Sequence, residues 1–522
     1  MTMLACPDAS ARGAPPCPLT AAPRFAAPPW DRHTPAWLDL DARLPPDHLA
    51  RQIDGLVEQL DLTDLCASYA GCGSLPYRPD LLLKVVLYEV WRGHHRPADW
   101  VRDVRENEPL RWLALGCTPS RARWYVFRDR LDQHLPGWNR QVLQQALDEQ
   151  LTPAQRAALD GSDVAANASR HRLVNATTLA QRLGQLDAAV AADAQDQPPP
   201  AVPGWMAQRP AGRQRQRGRY RQAQERRAER RRRNQQRRKE DRKPDGKVVI
   251  SLSDPEAALG LDKLKVYRPL YNAQCLVDLD SPLVLAYEVL AQPTDAGALG
   301  PMLERTRYFL GRPVKELLTD SKYAAGPQLL LAEQEGVTLF APWQAKEPGA
   351  SPGGRPPKQL PKEQFRWHLE LETYECPQGH LLDFVGRSRE RRGEGVVQER
   401  RRYRCAAAHC QACPRRPECV KGMGGRTLSR SPYEEQVETL RARMATAEAQ
   451  ALYKLRKQTV ERGFADLKEH RALRRLSGRG LARARVAVGL VVLVHNLLTA
   501  QVLRTRKQAL PADAANPQRI NT

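Results

Sequence analysis

The order of elements between residues 247 and 343 restricts what this chain can fold into more than any other feature. KVVISLSD (247–254), YNAQCLVDLD (271–280) and LVLAYEVLA (283–291) are apolar, β-branched runs of strand length, and Asp280-Ser281-Pro282 joins the last two as a hairpin. A helix follows from Asp295 to about Leu310, then a buried strand inside VKELLTDSKYAAG (314–326) that ends at Asp320. The helix PQLLLAEQEG and the short strand VTLFAPW (337–343) complete the series. Strand, hairpin, helix, strand, helix, strand is an α/β order with a mixed sheet. In open sheets of this kind ligands gather beyond the carboxyl ends of strands, which is where Asp320 falls. Upstream, AALDGSDVAANAS (157–169) alternates and holds too many small residues for a helix. It reads as a strand bearing Asp160, with Asp163 as its rival.

Around this core the composition shifts several times. Residues 1–45 are rich in Pro and Ala with little periodicity and read as a disordered tail. Residues 46–150 are helical, an all-α domain whose LARQIDGLVEQLDL, LLLKVVLYEVWRG and ADWVRDVRENEPLRWLAL are punctuated by Pro and Gly. Its last part, TPSRARWYVFRDRLDQHL (118–135), has Thr118 as a cap before Pro119 and a helix carrying Arg121, Arg123, Arg128 and Arg130. That pattern fits a DNA-contacting helix-turn-helix, and equally a structural or dimerising bundle. Within the span 151–343, residues 195–245 interrupt the core: QPPPAVPG breaks structure, and GRQRQRGRYRQAQERRAERRRRNQQRRKEDRK reads as a basic linker. Such a run gives strong, salt-sensitive and sequence-blind nucleic-acid affinity.

Residues 344–430 form an insertion, small, β-rich and cysteine-containing. In it QFRWHLELETYE (364–375) alternates as one strand with Phe365, Trp367, Leu369 and Leu371 on a single face. Cys376-x3-His380 and Cys405-x4-Cys410-x2-Cys413-x5-Cys419 then offer thiolates and an imidazole at spacings compatible with tetrahedral zinc, free thiols being the alternative. Residues 431–505 are helical again, and 506–522 are a polar, loose tail.

The formal net charge of +23 makes an anionic partner the first expectation, and nucleic acid is favoured over membrane. No run reaches the roughly 18 consecutive apolar residues of a bilayer span. The longest, VAVGLVVLV (486–494), stops at His495 and Asn496. The N-terminus lacks the basic start and apolar middle of a signal peptide, so a cytoplasmic, nucleoid-associated protein is expected. Eleven cysteines, odd in number and sparse for the length, argue against a disulfide framework.

In RKQTVERGFADLKEH (456–470) helical spacing puts Val460, Phe464 and Leu467 on one apolar arc, beside a stripe of Lys454, Lys457, Glu461 and Lys468. A carboxylate between cations suits a metal ligand beside a phosphate backbone. It also suits an ordinary amphipathic helix with i,i+4 pairs.

Taken in order, these blocks resemble an insertion-sequence transposase of the DDE class, the cut-and-paste group with a ribonuclease-H-like catalytic core. The blocks are RPDLLLKVVLYEVWRG with LRWLAL, LDGSDVAANAS, SDPEAALG with YNAQCLVD, LLTDSKYAAG, CPQGHLL with the Cys-rich knuckle, and RKQTVERGFADLKEHRALRRLSGRGLARARVAVGLVVLVHNLL. They cover roughly residues 45 to 505. The resemblance implies catalytic, magnesium- or manganese-binding carboxylates at Asp160, Asp320 and Glu461, the last with Lys468 in an E-x6-K signature. It implies that Lys468, facing DNA, contacts the phosphate backbone, and that residues 46–150 bind element ends. It implies partners in double-stranded DNA, both transposon ends and target, with a homodimer when synapsed. By resemblance the insertion helps handle the cleaved end, with Trp343 or Trp367 stacking on a base, although alternation already explains Trp367 as core.

The sequence departs from the family's pattern in three places. The extended Tyr-Arg-Glu-Lys signature is loose, with Tyr453 present but Lys457 four before the glutamate and Arg456 beside it. The turn after the second acid reads Asp320-Ser321-Lys322-Tyr323, and the stretch 207–243 is far more basic than the family suggests. Two other functions compete: a catalytically inactive or domesticated DNA-binding protein, and a metal-dependent nuclease without strand transfer.

Overall fold

The computed structural model describes residues 23–69, 73–237, 239–342, 359–391 and 397–509. It divides into two compact units, one of residues 1–145, 470–472 and 489–522, the other of residues 146–469 and 473–488.

In the first unit the helix Pro79–Trp91 is apolar almost all round and buried from Pro79 to Val90. Helices Leu49–Glu58, Pro97–Glu106, Glu108–Leu113 and Arg121–Arg130 accompany it. Three of these five carry proline in the first turn, where the missing N–H costs nothing. Trp100 packs edge-on against Trp124 and both are fully buried. Lys84, also buried, is held by Asp54 at 2.6 Å and Glu58 at 3.2 Å, so its charge is neutralised within the core. Part of the Pro/Ala-rich tail is not loose: Pro35–Arg43 is a helix that buries Trp37 and Leu40, whose ring and side chain outweigh the proline content. The last helix, Arg121–Arg130, starts after Ser120 and not at Thr118.

At the end of the Pro79–Trp91 helix, His94 Nδ1 lies 3.0 Å from Glu89 Oε2 and 3.1 Å from Asp103 Oδ2. Burial, with Asp103 alongside, pushes the Glu89 carboxyl up to about 8. Folded Glu89 therefore keeps its proton between pH 4.5 and about 8 while the unfolded chain loses it, so stability falls as pH rises through that window. Glu89→Gln removes this dependence. Its unfolding free energy should exceed that of the unaltered chain above pH 8, by up to about a few kcal/mol, and match it near pH 4; equal pH profiles for the two proteins would refute the assignment.

The second unit is built on a mixed sheet. Its strands are β1 (Arg156–Ala165), β4 (Ala258–Leu261), β5 (Tyr267–Asp278), β6 (Val284–Leu290), β7 (Glu316–Leu318) and β8 (Thr338–Phe340). The order is β4-β5-β1-β7-β8, with β6 also paired to β5. β1 is antiparallel to β5 and parallel to β7, and β7 is parallel to β8. β5 is buried on both faces over most of its length, which accounts for its near-continuous apolar run. The stretch read as a strand at 247–254 supplies only β3 (Ile250–Ser251), paired with β2 (Leu173–Val174) outside this sheet.

The basic run is not a linker. Pro210–Gln236 is a helix of 27 residues that docks on the helix Ala176–Ala194 through Gln216, Tyr220 and Ala223. Its like charges are partly cancelled: Arg213 pairs with Asp193, Arg217 and Arg221 with Asp187, and Arg227 with Asp245 and the Val248 carbonyl.

The insertion is a five-stranded antiparallel sheet in the order β13-β12-β11-β10-β9. Its strands are β9 (Arg366–His368), β10 (Thr373–Glu375), β11 (Leu381–Arg391), β12 (Val397–Cys405) and β13 (Thr427–Arg430). The expected single strand at 364–375 is a hairpin, turning at Glu372 with φ 45°, so Leu369 and Leu371 are exposed at 78% and 62%. Alternation carried past the turn by chance. Trp367 packs edge-on against Tyr374 and Tyr403 and under the Arg430 guanidinium, while Trp343 lies outside the described residues.

One helix, Leu481–Ala509, is long and apolar enough to cross a membrane by length and composition, against the expectation that none is. Its most apolar window is 72% buried, as in a core helix. Its first turn is capped by carboxylates: Gly480 N–H donates to Asp254 and Leu481 N–H to Glu256.

Candidate active site

Parallel register brings the first two acids together. Ala158 stands opposite Leu318, so Asp160, two residues further along β1, and Asp320, in the turn just past the end of β7, come close enough for Asp320 to act on the Asp160 carboxyl. Both side chains are about three-quarters covered, at 25% and 28% exposure. Burial pushes the Asp160 carboxyl above its ordinary range, and repulsion from Asp295 and Asp320 adds to this, while Arg456 opposes it. A largely buried carboxylate whose charge is disfavoured by burial and by neighbouring acids forms a site that a divalent cation would stabilise.

The helix Ala447–Ala465 crosses this place. Arg456 lies 3.3 Å from Asp160, and the Tyr453 hydroxyl donates to the Thr319 carbonyl, one residue before Asp320. Arg456 faces the carboxylates and Lys457 is exposed. Val460, Phe464 and Leu467 are buried as the helix's docking face, and Gly463 allows close approach, since a Cβ there would stand 3.1 Å from Val277. Glu461 is exposed, about 100° round the helix from Val460 and about 140° from Arg456, and no contact joins it to Asp160 or Asp320 among the described residues.

Lys468 departs from the expectation that it faces DNA. It sits in a π-helical turn, Asp466–His470, and its ammonium donates to the Asp163 carbonyl at 2.8 Å. Burial, reinforced by Lys263, lowers it to about 8. Asp163 is half-buried on the opposite face of β1 from Asp160, and its carboxyl is likewise raised by burial.

Five polar residues meet behind the site, and the sequence assigns no role to three of them, Asn272, Gln274 and Asp295. Asn272 and Gln274 each donate to Asp295 Oδ1, at 2.8 and 2.9 Å, and Lys322 donates to its Oδ2 at 2.9 Å. Tyr323 donates in turn to Gln274. The Lys322 backbone N–H also donates to Asp320, fixing that carboxylate at the start of a short helical turn. No spacing rule marks Asp295. The only hint was a cluster of polar residues within an otherwise apolar β5.

Of the other predicted residues, Arg121 and Arg123 are exposed on their helix. Arg128 is not: it is buried, paired with Asp129 and stacked on Tyr125, because its position falls on the packed face with Trp124 and Phe127. Cys376, Cys405, Cys410, Cys413 and Cys419 line one cavity with His380 and His409. Backbone N–H groups of His380 and Arg426 point at the sulfurs of Cys376 and Cys410, each at 3.4 Å, and burial raises the Cys405 thiol to about 12. Among the described residues, only Glu89, His94 and Asp103 bring three donor atoms within 4.8 Å of one another, so the sulfurs are spread more widely than a closed tetrahedral site.

A strongly basic chain whose mixed α/β sheet gathers carboxylates and an arginine at parallel strand ends has the makings of a protein that acts on nucleic acid. Comparison with known families makes this particular. Residues 375–499 match a transposase DDE domain and residues 38–130 match a transposase domain (DUF772), and the two matches support an insertion-sequence transposase of the DDE class. Among curated proteins, none matches the chain.

Proposed function

We propose that the chain binds the terminal inverted repeats of its own element and catalyses cleavage and strand transfer there by in-line phosphoryl transfer. The observation that carries this reading is the proximity of Asp160 and Asp320 across the β1–β7 register, with Arg456 beside Asp160. The strand order supports a ribonuclease-H-like core: one central strand, an antiparallel hairpin on one side and two parallel strands on the other.

Asp160 and Asp320 would hold magnesium or manganese with hard oxygen donors, and Glu461 would complete the set from the helix. When bound, such ions supply water activation and stabilisation of the leaving oxygen. Tyr453 ties the helix to the end of β7, and Arg456 holds the Asp160 carboxylate in place while remaining available to a phosphate. Arg121 and Arg123 are the candidate end-binding arginines. Two ends must be synapsed, which calls for a homodimer on DNA. The cysteine set is chemically suited to zinc, with four of Cys376, Cys405, Cys410, Cys413 and Cys419 as ligands and His380 in reserve. The purified protein should contain zinc that a chelator removes with loss of insertion-sheet structure; metal analysis finding none would refute the site.

The reading as a whole is tested by incubating protein, magnesium, end DNA and a target plasmid. Joined product is expected. Cleavage without joining would favour the nuclease reading, and binding without either would favour the domesticated one.

A further inference from the structure

The helix Pro210–Gln236 divides its arginines between two tasks. Arg213, Arg227 and Arg230 point inward, to Asp193, to Asp245 with the Val248 carbonyl, and to the carbonyls of Val249 and Ala257. A second set recurs at offsets of 4, 7 and 7: Arg215, Arg219, Arg226 and Arg233. At about 100° per residue these four fall within an arc of about 40°, on a stripe about 27 Å long beside the docked face. Arg215, Arg226 and Arg233 are exposed. The sole acidic partner shown for this set is Glu229, 3.0 Å from Arg226 in an exposed i,i+3 pair that contributes little.

Arg219 adds an independent observation. Its Nε is buried without a hydrogen-bond partner, and Arg479 lies close enough to disfavour its charge. Two guanidinium groups from separate elements thus approach each other, and the nearby Glu256 is engaged by Gln222 and the Leu481 N–H, an arrangement that an anion would complete. Arg479 itself donates to the Asn167 carbonyl, just beyond β1. The loop before it runs along the end of β1, with Leu476 N–H donating to Ala165 and Ala165 N–H to Arg474. The stripe therefore continues, through Arg219 and Arg479, towards the strand that carries Asp160.

We propose that the arginine stripe of this helix, joined through Arg219 to Arg479, grips the phosphate backbone of duplex DNA beside the carboxylate site without reading its sequence. This rests on the transposase reading, and it assigns to the basic helix a DNA contact separate from recognition of the terminal repeats.

The test is equilibrium binding of the full chain to labelled duplexes across a salt series, using one duplex with the terminal repeat and one of unrelated sequence. Each phosphate contact contributes about 0.9 to the slope of log affinity against log salt. Changing Arg215, Arg219, Arg226 and Arg233 together to Gln should reduce the slope by between about 3 and 4 on both duplexes. The same four changed to Lys should restore it. Arg233→Gln alone, at an exposed site with no docking role, should reduce the slope by about 1 and leave thermal melting unaltered. An unchanged slope in both Gln variants, or a loss confined to the terminal-repeat duplex, would overturn the proposal. Failure of the transposase reading shows separately, as absence of cleavage and joining by an unaltered chain whose salt slope still depends on the stripe.

Discussion

Asp160→Ala and Asp320→Ala will each abolish magnesium-dependent cleavage of element ends while leaving DNA binding intact. Each side chain supplies one half of a carboxylate pair set by the Ala158–Leu318 register, so neither has a substitute in the sheet. Loss of several kcal/mol of metal-borne stabilisation corresponds to a rate reduced about a thousandfold or more. Manganese, which tolerates imperfect ligand sets better than magnesium, should rescue Asp→Glu more readily than Asp→Ala. Glu461→Ala is the discriminating member of the series. It is exposed and, among the described residues, no contact ties it to the pair, so retained cleavage in Glu461→Ala would sink the three-acid assignment.

Gly161→Ala should be strongly destabilising for a single methyl group. A Cβ at Gly161 would collide with the buried Asp295 carboxylate and the Gln274 amide, and would press on Asn272. These are the groups that bond to one another behind the site, and displacing them strands desolvated polar atoms. Overpacking of this kind costs about 1–3 kcal/mol, and a broken buried network adds to it. The expected result is a clearly lowered denaturation midpoint together with loss of cleavage, since Asp160 is the adjacent residue. Unchanged stability in Gly161→Ala would show that the Asp295 cluster has room to give.

The readable parts of this protein were those in which local pattern and tertiary role coincide. The alternation of strands and helices from 247 to 343 specified the sheet, and Asp160 and Asp320 stood out because each follows an apolar run. Val460, Phe464 and Leu467 were legible as a docking face from spacing alone. What escaped depends on partners that the local pattern does not contain. The basic run looked like a repelling tail until Asp187, Asp193 and Asp245 were placed against it. Asp295 belongs to the site only because β5 and the turn after Asp320 meet there. Leu369 and Leu371 kept the rhythm of a strand across a turn, and Arg128 is basic yet lies on the face that carries Trp124. Periodicity records which face a residue occupies; it is silent on what that face meets.

The pairing of β1 with β7 also bears on when the protein becomes dangerous to its host. The two aspartates are 160 residues apart in sequence, and the helix bearing Tyr453 and Arg456 is synthesised later still. A chain emerging from the ribosome passes through most of its synthesis with Asp160 on a strand whose parallel neighbour does not yet exist. On the proposed reading the carboxylate site is complete only near the end of translation, and a chain truncated before residue 456 should bind DNA without cutting it.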